Sequence, residues 1–492
     1  MKRFSENKHD CLDLAKFNEQ SSLNLAKSLN KSWRELCDRF LPVFLQDTIW
    51  RYSRLKERED PDQGWKLHIS ATILTAPKVL ETVAPFLESQ KAFYKAPISL
   101  AELKKINSGV YYNYTQIGKF ITIYPQSDEQ AVFFAEQLHQ LTREMPAPAV
   151  PFDFKFKPKS CVYYRYGAFK TFEIKNEDGS TVLAMRDRNG ELIPDLRFSE
   201  SAKPEWISNP FPIALIEEET SYTPLKNDYK VFRALSQRGK GGVYQAVDFS
   251  ANHPRFCLVK EGRKNGEVDW DGRDGFWRVQ YEKRVLETLQ SAGCDVPQVY
   301  DSFETDGNFY LVTEFIEGET LHRFLQKRKK RLSISQAIKF AIRLSDLMAR
   351  IHSAGWLWRD CKPDNLIVTK NGVLRPIDFE GACPISQPDY VPCSTLTSVF
   401  FEESDFFFKA RRINPDLFAL GAIIYLLIEG ELPKVTTENQ PTISRLKVST
   451  EIKSLVSQLI NPNTMKYPEA EDITKTLKTA LEFPKIITNL RG

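Results

Sequence analysis

The densest chemistry in the chain is the string Trp358-Arg359-Asp360-Cys361-Lys362-Pro363-Asp364-Asn365-Leu366, followed by Ile377-Asp378-Phe379. Asp360 can accept the proton of a hydroxyl, Lys362 can neutralise a γ-phosphate, and Asn365 offers a hard oxygen to a divalent cation. Upstream, Gly239-Lys240-Gly241-Gly242-Val243-Tyr244 lies between two strand-like runs, 229–236 and 243–247. A hairpin without side chains lets backbone N–H groups approach phosphates, and the same residues also suit a plain tight turn. Lys260 falls on the next strand and Glu282 in the helical stretch 277–289. A strand lysine held by a helix glutamate fixes the α- and β-phosphates of a nucleotide. The chemistry these residues share is phosphoryl transfer to a hydroxyl.

A second constellation lies in the first half. In Gly64-Trp65-Lys66-Leu67-His68 the period of two puts Lys66 and His68 on one strand face, a base beside an acid, or else two solvated polar positions. Lys95, Lys119 beside the strand carrying Tyr124, and Arg165 are each embedded in aromatic or β-branched sequence rather than in a polar run. Half-buried cations need an anion, and a phosphate suits Arg165 bidentately. Such a pocket could eliminate phosphate from a phosphoserine or phosphothreonine, burial and neighbouring cations lowering the pKa of a lysine base.

The elements that must carry these groups read as α+β. Apolar residues at helical spacing (Leu36, Phe40, Leu41, Phe44, Leu45) predict one helix over 22–55, followed by a charged stretch, 56–63. A strand at 65–69, helices at 77–89, 100–106 and 128–142, and strands at 120–124 and 162–166 follow without strict alternation. Turn signals and prolines mark 176–212 as a connecting segment. The domain bounds expected are 1–205, a linker 206–227, and 228–492, which is strand-rich to about 315 and then helix-rich, as in a two-lobed catalytic domain. The 492 residues carry 42% hydrophobic residues and a net charge of +4, a globular balance that argues against nucleic acid as the main partner. Eight cysteines without a metal-ligand pattern, no apolar segment behind the N-terminal charges, and an apolar run (417–428) shorter than the ~20 residues that span a bilayer point to a cytoplasmic protein with no membrane partner.

Residues 228–485 resemble a eukaryotic-type protein kinase domain, with 314–318 as hinge and 416–421 in the central helix of the large lobe. The resemblance implies that Asp360 is the catalytic base with Lys362 beside it, that Asn365 and Asp378 hold Mg²⁺, and that Lys260 and Glu282 pair. It also implies that Gly239, Gly241, Gly242 and Glu314 contact the nucleotide, ATP or alternatively GTP. Trp358 stands where that family has a histidine, Glu380 replaces the glycine after Asp-Phe, and no Ala-Pro-Glu follows.

The two halves together resemble the class III lanthipeptide synthetases, through 64–71, Asn107-Ser108-Gly109 with Tyr111 and Tyr112, 116–125, and Tyr164-Arg165-Tyr166-Gly167. The Asp-Phe-Glu variant at 378–380 fits them as well. The N-terminal half is then similar to the phosphothreonine lyases of bacterial effectors. That likeness makes Lys95 the base, His68 the general acid, Lys66 the stabiliser of an enolate-like intermediate, Lys119 and Arg165 phosphate contacts, and Tyr124 a further candidate. The implied function is dehydration of Ser and Thr in a ribosomally made precursor peptide held by its leader segment. No zinc-ligand cluster for a cyclase is legible, so ring closure falls to a separate cyclase or does not occur; a homo-oligomer stays open. The competing readings are a signalling Ser/Thr kinase with an N-terminal regulatory module, and a non-enzymatic scaffold. The aromatic and basic stretch 400–412 reads either as a peptide-docking or self-association surface or as local core.

Overall fold

The computed structural model describes residues 19–45, 48–195, 203–212, 228–386, 414–434, 441–445, 447–461 and 468–489; the stretch 400–412 lies outside them. Helix α1 (Glu19–Phe40) ends well before residue 55. Strand β1 (Val43–Phe44) pairs instead with β2 (Trp50–Tyr52), and the Arg51 Nε donates to the carbonyl of Leu41 at 2.9 Å. The helical spacing of Phe44 and Leu45 was a coincidence of composition: both are exposed, and strand pairing overrides the local period.

The N-terminal sheet adds β3 (Gln63–Ile69), β4 (Phe93–Pro97), β5 (Ile121–Tyr124), β6 (Phe154–Lys155) and β7 (Val162–Ala168), in the order β1-β2-β4-β5-β3-β7-β6. Helices α2 (Ala76–Ser89), α3 (Leu100–Ser108) and α4 (Asp128–Thr142) complete the layer pair. Alternation sends Leu67, Ile69, Tyr94, Ile121, Ile123 and Val162 into a core shared with Trp33, Phe120 and Phe134. The intervening residues face the other way, and the register sets them in rows: Lys66 opposite Arg165, with Thr122 opposite both His68 and Lys95.

The charged stretch before β3 is an anchor. Asp60 is buried and accepts from both Nη atoms of Arg54 at 2.7 Å, from the backbone N–H of Glu57 at 2.7 Å and from Gln126 at 2.5 Å. The hydrogen bonds from Arg54, more than any other contact, hold its carboxyl down at about 2. Asp60→Asn is therefore expected to cost about 1.5–3 kcal/mol in urea unfolding at pH 7. A depressed carboxylate stabilises above its unfolded pKa, so the deficit should shrink as pH falls through about 4 toward 2.

The segment 176–194 is structure rather than a connection. Strands β8 (Phe172–Lys175), β9 (Thr181–Arg186) and β10 (Leu192–Pro194) form a sheet in the order β10-β9-β8, and the turn signals at 177–179 and 188–190 are its two hairpin tips. Within the expected linker, Phe211 is 2% exposed; it stacks on Tyr164 at 3.8 Å and meets Trp65 edge-on.

The second half opens with β11 (Tyr229–Arg238), β12 (Gly241–Asp248), β13 (Arg255–Gly262), β14 (Val299–Thr305) and β15 (Asn308–Glu314) in the order β11-β12-β13-β15-β14, with α5 (Gly275–Ser291) between β13 and β14. A helical lobe follows: α6 (Leu321–Gln326), α7 (Ile334–Ser353), α8 (Pro415–Glu429), α9 (Thr450–Leu459) and α10 (Ala470–Asn489). Helix α8 is apolar on every side and buried along almost its whole length, as such a helix must be. Among the described residues no helix is long and apolar enough to cross a membrane. The α+β expectation holds, with a sheet-rich small lobe before a helical one. Two compact units divide the chain, 17–280 with 302–311 and 281–301 with 312–492, so that β11, β12 and β13 fall in the same unit as the N-terminal sheet.

Candidate active sites

All six residues expected of an elimination pocket line one cavity of about 220 Å³: Lys66, His68, Lys95, Lys119, Tyr124 and Arg165, with Trp50, Gln116, Thr122 and Leu183. They come from β3, β4, β5, β7 and the loop before β5, brought together by strand order rather than by proximity in sequence. The Lys95 ammonium sits 4.3 Å from the centroid of Trp50. Tyr124 is wedged between Phe93 and Phe169, and burial pushes its phenol above the ordinary range. Arg165 is 3% exposed and donates through Nη2 to Asp195 at 2.6 Å; Gly167 leaves it room, since a Cβ there would lie 2.9 Å from Nη1.

Three participants had no signature in the sequence: Asp153, Asp195 and Trp50. Asp153, with its side chain 1% exposed, accepts from His68 Nδ1 at 2.5 Å and from Lys119 Nζ at 2.9 Å. Burial opposes its charge, yet Lys119 and His68 together hold the carboxyl well below the usual range. Burial lowers His68 to about 3, against the pull of Asp153. The imidazole is thus neutral at pH 7, with Nδ1–H committed to Asp153 and Nε2 left for a ligand. Four basic side chains face two carboxylates, a surplus of positive charge suited to a phosphate.

The catalytic-loop residues form a second cluster. Lys362 Nζ donates to both carboxylate oxygens of Asp360 at 2.9 Å, and Asn365 Nδ2 donates to Asp360 Oδ2 at 2.7 Å. Burial first, then the charge of Asp378, raises Asp360 to about 6, while Lys362 and Asn365 pull it back. The Asn365 amide is oriented by these donations; its oxygen and the Asp378 carboxylate are hard donors of the kind that would hold a Mg²⁺ ion, and the Asp360–Asp378 repulsion is what such a cation would relieve. Arg359 and Asp378 both have φ above +60°, strained for residues with side chains, at the two ends of this loop pair.

Trp358 performs a structural task at the position of the family's histidine. Its indole Nε1 donates to the carbonyl of Asp378 at 2.9 Å and its ring stacks on Phe379 at 5.4 Å. Glu282 accepts from the backbone N–H of Phe379 at 2.9 Å. Beneath the loop, fully buried Asp416 takes the backbone N–H groups of Trp358 (2.8 Å) and Arg359 (2.6 Å) and the His352 ring (2.9 Å). Asp416→Ala leaves two buried backbone donors and the half-buried His352 ring without their acceptor. It should destabilise the helical lobe by about 3 kcal/mol or more, read as an earlier urea midpoint together with lost phosphorylation.

Lys260 on β13 stands opposite Val243 of β12. Gly239, Gly241 and Gly242 are buried, and the Gly239 N–H donates to Ser108 O at 2.9 Å, so close backbone packing already demands glycine here. The Glu314 carboxylate pairs with Arg375 at 3.0 Å, in a cluster that also holds Asp295.

A two-lobed fold whose loop joins an aspartate, a lysine and an asparagine in this way defines a protein kinase domain. Residues 229–483, more than half of the chain, match the protein kinase domain model, and the chain belongs to that family, which uses ATP and Mg²⁺. Residues 44–221 match the model described as RamC, N-terminal domain. The chain is 28% identical over 345 residues to the probable SapB synthase of Streptomyces coelicolor, covering 68% of this chain and 37% of that protein. It is 25% identical over 210 residues to the probable serine/threonine-protein kinase PknB of Lactococcus lactis (42% and 32% covered), and 29% identical over 220 residues to serine/threonine-protein kinase PknA of Nostoc sp. (43% and 38%). The chain thus spans about a third of the length of the curated relatives it matches. The chain thus joins a RamC-type N-terminal domain to a kinase domain and is similar to a probable SapB synthase, in keeping with the resemblance read from its sequence.

Proposed function

We propose that this protein dehydrates Ser and Thr residues of a ribosomally made precursor peptide, phosphorylating the hydroxyl and then eliminating the phosphate. The observation that carries the reading is the convergence of Lys66, His68, Lys95, Lys119, Tyr124 and Arg165 on one cavity in a chain that also has a complete hydroxyl-phosphorylating loop. In the first step Asp360 accepts the hydroxyl proton as the Oγ–P bond forms and the γ-phosphoryl group leaves ADP. On the kinase resemblance Lys362 serves the γ-phosphate, Lys260 and Glu282 serve the α- and β-phosphates, and residues 239–242 and Glu314 serve the rest of the nucleotide. Mg²⁺ bound by Asn365 and Asp378 supplies neutralisation of phosphate charge.

In the second step Lys95 removes the α-proton, the C–H electron pair becomes the Cα=Cβ bond, and the Cβ–O bond breaks toward phosphate. His68 gives its Nε2 proton to the departing oxygen. It acquires that proton when the phosphate, by its negative charge, offsets the burial that otherwise keeps the imidazole neutral. Lys66 steadies charge on the neighbouring carbonyl oxygen, while Lys119 and Arg165 grip the phosphate and Tyr124 walls it. The same proposal takes in a leader segment that keeps the peptide bound between steps, ring closure by a separate cyclase, and a cytoplasmic setting. The test is intact peptide mass over time, with Mg-ATP or Mg-GTP and a precursor encoded beside the gene. Successive losses of water are expected, and a stable phosphopeptide as the only product would overturn the reading in favour of a signalling kinase.

A further inference from the structure

Asn107 touches both halves of this chemistry, and all its contacts lie within one compact unit. It is 4% exposed at the end of α3. Its Nδ2 donates to the carbonyl of Ala71 at 3.0 Å, two residues beyond the strand carrying Lys66 and His68. Its Oδ1 accepts from the N–H of Gly118 at 3.1 Å, and Gly118, with φ +75°, sets the position of Lys119. The backbone of the same segment receives the glycine turn of the small lobe. Ser108 O accepts from Gly239 N at 2.9 Å, and a Cβ on Gly239 would overlap the Asn107 carbonyl oxygen.

The turn is gripped from its other side as well. Lys240 O accepts from Arg263 N at 2.8 Å, and a Cβ on Gly241 would overlap the carbonyl oxygen of Glu261. Arg263 in turn donates to the Tyr114 hydroxyl at 2.7 Å, back in the N-terminal domain. The turn that is to cradle phosphates is therefore a buried part of a seam whose far side holds the Lys119 loop.

We propose that Asn107 couples the two sites antagonistically: a phosphate seated on Lys119 steadies the Asn107 seam and keeps the glycine turn docked, which disfavours nucleotide. Nucleotide that draws the Gly239 N–H away from Ser108 loosens Asn107 and the Gly118–Lys119 loop in return, since coupling between sites is reciprocal. This rests on the two-site reading above. It gives the order of events a physical basis, elimination at one site holding off reloading at the other.

The test uses the full chain. The affinity for a non-hydrolysable ATP analogue with Mg²⁺ is measured by calorimetry with and without saturating inorganic phosphate, the product of elimination. Phosphate is expected to weaken nucleotide binding about fivefold or more, and nucleotide to weaken phosphate binding by the same factor. Asn107→Ala should abolish the coupling while each ligand alone still binds, and Tyr114→Phe, which removes the hydroxyl that receives Arg263 across the seam, should weaken it with each ligand still bound. An unchanged wild-type affinity overturns the proposal. So does an equal effect in both variants, the mark of direct competition at the nucleotide site. A supplied phosphopeptide that the wild type leaves intact would instead overturn the dehydration reading, and the affinities judge the coupling separately.

Discussion

Asp360→Asn is expected to slow phosphorylation of the precursor by about 10²–10⁴-fold while leaving elimination from a supplied phosphopeptide at the wild-type rate. The amide is the same size but cannot take a proton, and it places an N–H donor against Lys362 or Asn365, each of which already donates to this side chain. The pH profile carries the same signature. With its pKa raised to about 6 by burial and by Asp378, Asp360 must lose a proton to act, so kcat/KM for phosphorylation should rise through pH 6 and level off above it. Undiminished phosphorylation by the variant would remove Asp360 from the role of base.

His68→Ala should give the opposite block: peptide accumulates at the phosphorylated stage, with elimination slowed about 10²–10⁴-fold and phosphorylation intact. The imidazole is held by Asp153 and lies on the same face as Lys66, so its loss removes the proton donor without disturbing the strands. A second consequence concerns stability. A histidine kept neutral by burial binds fewer protons than it does in the unfolded chain, so the wild type should lose stability as pH falls from 6.5 toward 3. The variant should lose less over that window, a difference readable in urea midpoints. Water loss at the wild-type rate by His68→Ala would end the assignment.

What the sequence disclosed follows the distance over which information is local. The loop from Trp358 to Asn365 was legible because its groups sit within eight residues of one another, and Lys66 with His68 because strand alternation is a local rule. That Lys95 and Arg165 reach the same cavity depends on the order β4-β5-β3-β7, which no window of sequence contains. Asp153 and Asp195 were invisible because each is a lone acid in an irregular segment, identified only by the cations it meets. Trp50 was hidden by a helical reading of 41–55 that strand pairing overrode, and β8, β9 and β10 by hairpin tips that resemble the punctuation of a linker. The glycines at 239–242 were read for phosphate or for a plain tight turn; their packing against Asn107 and Glu261 belongs to tertiary structure.

Phe211 bears on how the chain can be divided. A fragment stopped at residue 205 would leave the faces of Trp65 and Tyr164 without the ring that covers them, an aromatic slot open to water at the edge of the N-terminal core. Such a piece should be sticky and prone to aggregate during expression, whereas a boundary placed after Pro212 carries its own stopper.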